Sequence, residues 1–285
     1  MPAVASRSRG FKFRNKSYDF FSRTHLMGVI NVTPDSFSDG GKFLDTQSAV
    51  DQGLRLEQEG ADIVDIGGES TRPGSEPLPI EEELKRVVPV IGELSQKIKI
   101  PISIDTYKAG VAKNALEAGA EVINDISGLR FDPIMVEVAK ESGCPVILMH
   151  IQGTPKNMQE NPVYQQVVRE VRDYFQERVN FATFSGMDES RLILDPGIGF
   201  GKSFEHNLSL LNGLSVFKTL GRPLLVGVSR KSFLGKILDL PVTERLEGSL
   251  AALAYSIWQG ANIVRVHDVK ESVRVARVID RLKFA

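Results

Sequence analysis

Polar and ionisable residues stand where a series of apolar runs end, and their types define the available chemistry. Asn31 follows LMGVI. Thr71 and Arg72 lie in DIGGESTRPGS. Asp105 and Thr106 follow ISI, Asn124 and Asp125 follow VI, and His150 follows ILM. Asp195 follows LIL, Ser229, Arg230 and Lys231 follow LLVGV, and Arg265 and His267 alternate in the last run, VRVHD. A buried charge without a partner costs several kcal/mol even after relaxation. Acids and bases converging at such positions therefore point to a ligand with complementary groups. A lone aspartate at a strand end more often caps a helix or shapes a turn. The recurrence of Asp105, Asn124 and Asp195 in equivalent places weakens that reading.

These residues fall into two sets. Asp105 and Asp195 can accept from ring N–H groups, Asn124 can both accept and donate, and Lys231 can donate to a carbonyl, which suits a pterin-like or guanine-like edge. Arg72, Arg265 and His267, with Asn31 as a neutral oxygen ligand, suit phosphate and a divalent cation. His150 is equally a core hydrogen-bonding residue or a site residue. His25 and His206 have no such context and are expected at the surface. GIGFGKS, residues 197–203, looks like a phosphate-binding loop, but Pro196 stands where that motif needs its first glycine. The glycines are expected to bring backbone close to a flat ligand, with Phe200 available to stack on it.

The elements that must position these residues are legible as a repeat. Strands are expected at 25–30, 61–67, 100–105, 122–126, 145–150, 192–195, 223–229 and 263–267. The runs are near-continuous rather than alternating, the pattern of parallel strands buried on both faces. Amphipathic stretches separate them. In one, Thr243 is a candidate cap for a helix presenting Leu246, Leu250, Leu253 and Ile257 on one face. Gly60, Gly119 and Gly260 each stand two residues before a strand, in the left-handed position that ends a helix. Eight such units in roughly 260 residues suit an α/β fold of the closed (β/α)8 TIM-barrel kind, with an open doubly wound sheet as the alternative. Residues 25–285 would form this single domain. Residues 1–24 would be a basic tail followed by a small capping hairpin built on Phe11, Phe13, Tyr18 and Phe20.

Composition sets the remaining bounds. The 285-residue chain is 42% hydrophobic and 25% charged, with a formal net charge of −1. Nothing in that balance attracts nucleic acid or an anionic membrane, and no apolar run has the length of a membrane span. The single cysteine, Cys144, excludes an internal disulfide and fits a reducing, cytoplasmic setting; it is expected at the buried start of a strand rather than as a catalytic thiol.

The motifs MGVINVTPDSFSDGG, DIGGESTRPGS, SIDT, NDISG, MHIQGTPKNMQ, LDPGIGFGK, VGVSRKSFLG and RVHD together resemble dihydropteroate synthase, from about His25 to the C-terminus. NVTPDSF and ESTRPG are the specific ones; NDIS and DPGIGFGK are shared in spirit with pterin-binding methyltransferases. The resemblance implies a (β/α)8 barrel that joins 6-hydroxymethyl-7,8-dihydropterin pyrophosphate to p-aminobenzoate with Mg2+, releases pyrophosphate, is usually a homodimer and is a sulfonamide target. Matched by motif, Asp105, Asn124, Met149, Asp195, Phe200, Gly227 and Lys231 would bind the pterin. Asn31 would meet the metal, and Arg72, Arg265 and His267 the pyrophosphate. Thr71, Phe200 and Ser229 would flank p-aminobenzoate, with Asp39 ordering the site from the first loop. Residues 32–41 and ESTRPGS would act as two lids. Two rivals remain: methyl transfer from a methylated folate to a corrinoid protein, and a non-catalytic pterin-binding paralogue. The first has no use for Arg72 or the NVTPDSF loop; the second should have lost strand-end residues, and none is missing.

Overall fold

The computed structural model describes residues 10–32 and 42–283, with only the backbone of 42–45. Asp39, the rest of the first strand-end loop and the basic tail lie outside the described residues. The chain begins with a hairpin of β1 (Gly10–Lys12) and β2 (Ser17–Asp19), paired antiparallel with Phe11 opposite Tyr18. The barrel strands follow: β3 (His25–Asn31), β4 (Ile63–Gly67), β5 (Ile102–Asp105), β6 (Val122–Asp125), β7 (Val146–Met149), β8 (Leu192–Asp195), β9 (Leu225–Val226) and β10 (Ile263–Val266). All pair in parallel in the order β8-β7-β6-β5-β4-β3-β10-β9. A bridge between Leu194 and Leu224 joins the two ends, so the sheet closes on itself and the open doubly wound alternative is excluded.

Helices α1 (Lys42–Glu59), α2 (Ile80–Lys97), α3 (Ala109–Ala118), α4 (Met135–Ser142) and α5 (Val167–Phe184) follow β3 to β7 in turn. Then come α6 (Phe204–Asn212) and α7 (Leu214–Phe217) after β8, α8 (Ser232–Leu238) and α9 (Leu246–Gln259) after β9, and α10 (Val269–Lys283) after β10. Gly60, Gly119 and Gly260 have φ of +101°, +119° and +119°, the left-handed geometry that stops a helix three residues before the next strand begins. Thr243 does not cap α9: it sits in a 3-10 turn, Val242–Glu244, and α9 starts at Leu246 with no side-chain cap. The buried face of α9 is Ser249, Leu253, Ser256 and Ile257, which keeps Leu253 and Ile257 of the expected stripe and replaces Leu246 and Leu250 with two serines.

The two ends of the barrel differ in chemistry. At the N-terminal end, Met27, Ile63, Val122, Ile147, Ile193, Leu225 and Ile263 form an apolar floor, and Phe11, Tyr18 and Phe20 of the hairpin region plug it. His25 belongs to this plug rather than to the surface: it is 2% exposed and lies edge-on to Tyr18 and Phe20. Its Nδ1 meets the Arg23 carbonyl, and burial lowers its pKa to about 4, so it is a neutral core residue. His206 is half-buried and caps α6 with Ser203. Cys144 is buried at the start of β7, with burial raising its thiol pKa. Among the described residues no helix is long and apolar enough to cross a membrane.

Candidate active site

The C-terminal ends of the strands carry a polar layer in place of the apolar floor. Gly67, Asp105 and Asn124 are in register on β4, β5 and β6, so Asp105 and Asn124 project from the same level. Gly67 keeps that level open: a Cβ there would lie 3.5 Å from the Asp105 Cβ. Asp195, in register with Met149, closes the layer from β8, with β7 standing between it and Asn124.

At the centre is a residue not singled out in the sequence. Asp65, in the middle of β4, is wholly buried and accepts from Arg265 Nε at 2.6 Å and from Asn124 Nδ2 at 3.1 Å. Arg265 Nη2 donates to Asp105 Oδ2 at 2.8 Å, so one guanidinium ties two carboxylates across the barrel. An acid inside a run apolar on both sides, as in ADIVDIGG, requires a buried partner, and that was the available signal for Asp65. Two carboxylates on one cation leave acceptors over. Asp65 Oδ1, Asp105 Oδ1 and Ser103 Oγ are buried without a hydrogen-bond partner. Buried polar atoms are rarely left so, and here they face the region that Asn124 and Lys231 also approach.

Electrostatics mark the same cluster. Burial, only partly offset by Arg265 and reinforced by the Asp65 charge, raises the Asp105 pKa to about 7. Burial also raises Asp195, whose Oδ1 accepts from the Gly197 N–H at 2.8 Å. Lys231 is lowered to about 8, first by burial and then by Arg265, with Asp195 and Asp105 pulling the other way. Its Nζ stands 4.2 Å from the centre of the Phe200 ring. Gly199 makes room for that side chain, a Cβ there being 3.3 Å from Lys231 Cδ. Met149 lines an apolar wall with Ile126, Ile151 and Met158, against which Phe200 packs. Gly227 follows β9 directly, and a Cβ there would lie 3.8 Å from the Arg265 Cβ.

His267 differs from the cation expected at that position. Burial, then Arg265 and Arg230, lower its pKa to about 4, so it is neutral at physiological pH. Ser229 Oγ lies 3.3 Å from the His267 N–H, which donates to it, and 3.0 Å from His267 Nδ1. The hydroxyl has a second lone pair and one proton, so it can accept from or donate to Nδ1 according to the tautomer of the neutral ring. His150 resolves as a core residue just behind the site. The buried Lys202 Nζ contacts His150 Nδ1 at 3.0 Å, the His150 carbonyl at 3.2 Å and the Phe200 carbonyl at 2.8 Å. Burial lowers the Lys202 pKa to about 7. The glycine loop between them is sterically fixed: Gly197 has φ +64°, and a Cβ there would be 2.0 Å from the His150 carbonyl oxygen.

The structure thus gathers Asp105, Asn124, Met149, Asp195, Phe200, Gly227, Ser229, Lys231, Arg265 and His267 at one end of the barrel, with Asp65 beneath them. Thr71 is half-buried and Arg72 exposed on the loop after β4, and neither side chain contacts this cluster. Asn31, half-buried at the end of β3, also has no partner among the described residues.

Comparison with known proteins agrees with this arrangement. The profile of the pterin binding enzyme family matches residues 27–267. Dihydropteroate synthase of Synechocystis sp. is 49% identical over 266 residues, 93% of this chain and 92% of that one. A crystal structure of Yersinia pestis dihydropteroate synthase with a sulfonamide drug superposes with TM-score 0.91 at 43% identity, covering 97% of this chain and all of the other. The Xanthomonas albilineans enzyme in complex with 7,8-dihydropteroate superposes with TM-score 0.87 at 39% identity, covering 97% and 99%. With a pterin-type pocket at the end of a closed barrel and relatives this similar over almost the whole length, the chain belongs to the dihydropteroate synthase family.

Proposed function

We propose that this chain condenses 6-hydroxymethyl-7,8-dihydropterin pyrophosphate with p-aminobenzoate, giving 7,8-dihydropteroate and pyrophosphate. The observation that carries the proposal is the unpartnered Asp105 Oδ1, buried beside Asn124 and within the field of Lys231. A flat ring bearing amino, ring N–H and oxo groups supplies what this constellation lacks: donors for Asp105 and Asp195, both for Asn124, and an acceptor for Lys231. Phe200 and Met149 offer apolar surface to the ring faces.

The reaction breaks the bond between the exocyclic CH2 and the diphosphate oxygen and forms a bond from that carbon to the amine nitrogen. The amine proton leaves to solvent. Ring electrons stabilise positive charge at the CH2, which favours a dissociative displacement. Asp105 and Asp195 then offset charge growing on the pterin. The aromatic amine attacks as the neutral base, so no strong general base is needed. Arg72 is free to reach the diphosphate from its exposed loop, and neutral His267 can donate to it in the tautomer that carries the proton on Nε2. Arg265 is mainly the counter-ion of Asp65 and Asp105; only its Nη1 has no partner among the described residues.

Mg2+ fits the donors present. Asn31 offers a hard, neutral side-chain oxygen with no hydrogen-bond partner among the described residues, and this ion commonly takes few protein ligands together with substrate phosphates. When bound, Mg2+ would neutralise charge on the diphosphate. We further assign the chain to the cytoplasm, where its lone buried thiol stays reduced, and to a homodimer, supported by apolar side chains exposed on α8 to α10.

The test is release of pyrophosphate from the pterin substrate as a function of p-aminobenzoate and Mg2+. Release that depends on p-aminobenzoate is expected; binding of the pterin without turnover at saturating Mg2+ would overturn the assignment.

A further inference from the structure

The loop bearing Thr71 and Arg72 is tied at its base by a buried ionic cluster that takes no part in the chemistry above. Lys108 Nζ donates to the Glu69 carboxylate, to Glu83 Oε2 at 2.6 Å and to the Leu78 carbonyl at 2.6 Å. These acceptors use all the protons of the ammonium. Glu69 also accepts from the Leu78 N–H at 2.7 Å and from the Tyr107 hydroxyl at 2.7 Å. Glu69 and Leu78, the two ends of the loop, therefore meet on the same ion pair. Glu83 and Lys108 are buried. Arg86 Nη1 donates to the Gly68 carbonyl at 2.8 Å, and a Cβ on Gly68 would lie 2.7 Å from Val87 and 3.1 Å from Glu83. The base is thus locked onto α2 and onto the segment between β5 and α3.

Beyond this base the restraint thins. Ser70 and Ser75 share a hydroxyl contact, Gly74 N–H donates to the Pro155 carbonyl, and exposed Glu76 pairs with exposed Lys156. The Arg72 side chain is exposed and has no partner among the described residues. Desolvating one ammonium and two carboxyls is expensive, and apolar packing would hold a loop with less penalty. Directional bonds to both loop ends achieve what apolar packing does not: they fix where the tip points. Burial raises the Glu83 pKa against the pull of Lys108, which shows how strongly the site is desolvated.

We propose that Lys108, Glu69 and Glu83 form a positioning clamp that aims the Arg72 loop at the leaving-group end of the active site. The clamp rests on the role given above to Arg72. None of its members touches substrate; each acts through the loop.

Lys108→Met and Glu69→Gln test it, with Lys108→Arg as the conservative variant. Amide hydrogen exchange over residues 69–78 reads the clamp directly, and titrations with inorganic pyrophosphate and with a pterin lacking the diphosphate read its consequence. In Lys108→Met and Glu69→Gln the Leu78 amide should exchange about tenfold faster or more, since a local tie is lost. Pyrophosphate affinity should fall about tenfold while affinity for the bare pterin stays within about twofold. The double variant should lose less than the sum of the two single losses, because the Lys108–Glu69 bond is counted in both. Lys108→Arg should recover part of the protection. Unchanged exchange at 69–78, or equal losses for pyrophosphate and pterin, would overturn the proposal. If Lys108→Met does not fold, Glu69→Gln, which preserves shape, decides. Arg72→Ala is measured in parallel: if it leaves pyrophosphate affinity unchanged, the Arg72 assignment fails and the ligand half of the proposal with it, while Leu78 exchange still decides the clamp.

Discussion

Asp65 and Asp105 share one guanidinium, and that shortage of positive charge makes the site responsive to a ligand that donates hydrogen bonds. The Asp105 pKa stands at about 7 against an ordinary 3.8, burial being the largest cause. Between those values the folded chain holds a proton that the unfolded chain has lost, so this group's contribution to stability falls as pH rises through the window. A ring N–H donated to Asp105 favours the ionised form and lowers its pKa. Binding of a bare pterin just below pH 7 should therefore release protons, seen by calorimetry in buffers of different ionisation enthalpy. Asp105→Asn should abolish that release; a binding heat independent of buffer would refute the assignment. Lys231→Ala and Asp105→Ala should each cut turnover by about two orders of magnitude or more with the fold intact, as for other preorganised electrostatic groups. A well-folded Asp105→Ala enzyme at near wild-type rate would remove the pterin reading. Residue types at strand ends gave away Asp105, Asn124, Asp195 and Lys231 because charge there has no structural excuse. Asp65 stayed hidden inside an apolar run. The neutrality of His267 and the engagement of Arg265 stayed hidden too, since both depend on neighbours from distant strands.

The repeating strand-helix unit was legible for a simple physical reason: strands buried on both faces must be apolar throughout, and helix stops need a left-handed residue. The departures occur where tertiary contacts overrule local pattern. β9 pairs over only Leu225–Val226, because the chain turns early to place Gly227, Ser229 and Lys231 at the site. Arg245, which contacts the carbonyls of Arg230 and Lys231, starts α9 where Thr243 would have capped it. His25 was misjudged because nothing near it in sequence reveals that the hairpin folds under the barrel. The hairpin's role is structural, and a variant can separate it from catalysis. Phe20 is fully buried, with its ring centre 4.7 Å from that of Phe11. Phe20→Ala should cost about 3–5 kcal/mol in denaturant unfolding, the usual range for a large buried aromatic. Its kcat at a temperature where it remains folded should be close to wild type. A large loss of kcat without loss of stability would mean that the plug reaches the site.

On the scale of the whole molecule, the barrel separates its tasks by end and by side. The floor is apolar and plugged, the opposite mouth holds the unsatisfied carboxylates, and one flank of the helical ring is left apolar. Ile237 on α8, Val242 in the turn that follows, Tyr255 and Trp258 on α9, and Val278 and Leu282 on α10 are all exposed, Trp258 at 57%. These elements are consecutive in the ring, with α9 packing against both α8 and α10. An indole and several aliphatic chains in water on one side mark an interface, and aromatic residues are typical anchors at the centre of one. In the proposed homodimer a second copy would cover these side chains, a twofold contact burying the same patch on both partners. The mouth of the barrel lies at the strand ends, away from this outer flank, so pairing leaves the active site open. Trp258→Asp should therefore convert the chain from dimer to monomer at micromolar concentration in light scattering, while bare-pterin affinity stays within about twofold, because no site residue is disturbed. A wild-type chain that already runs as a monomer, or a Trp258→Asp variant that remains dimeric, would place the interface elsewhere or remove it.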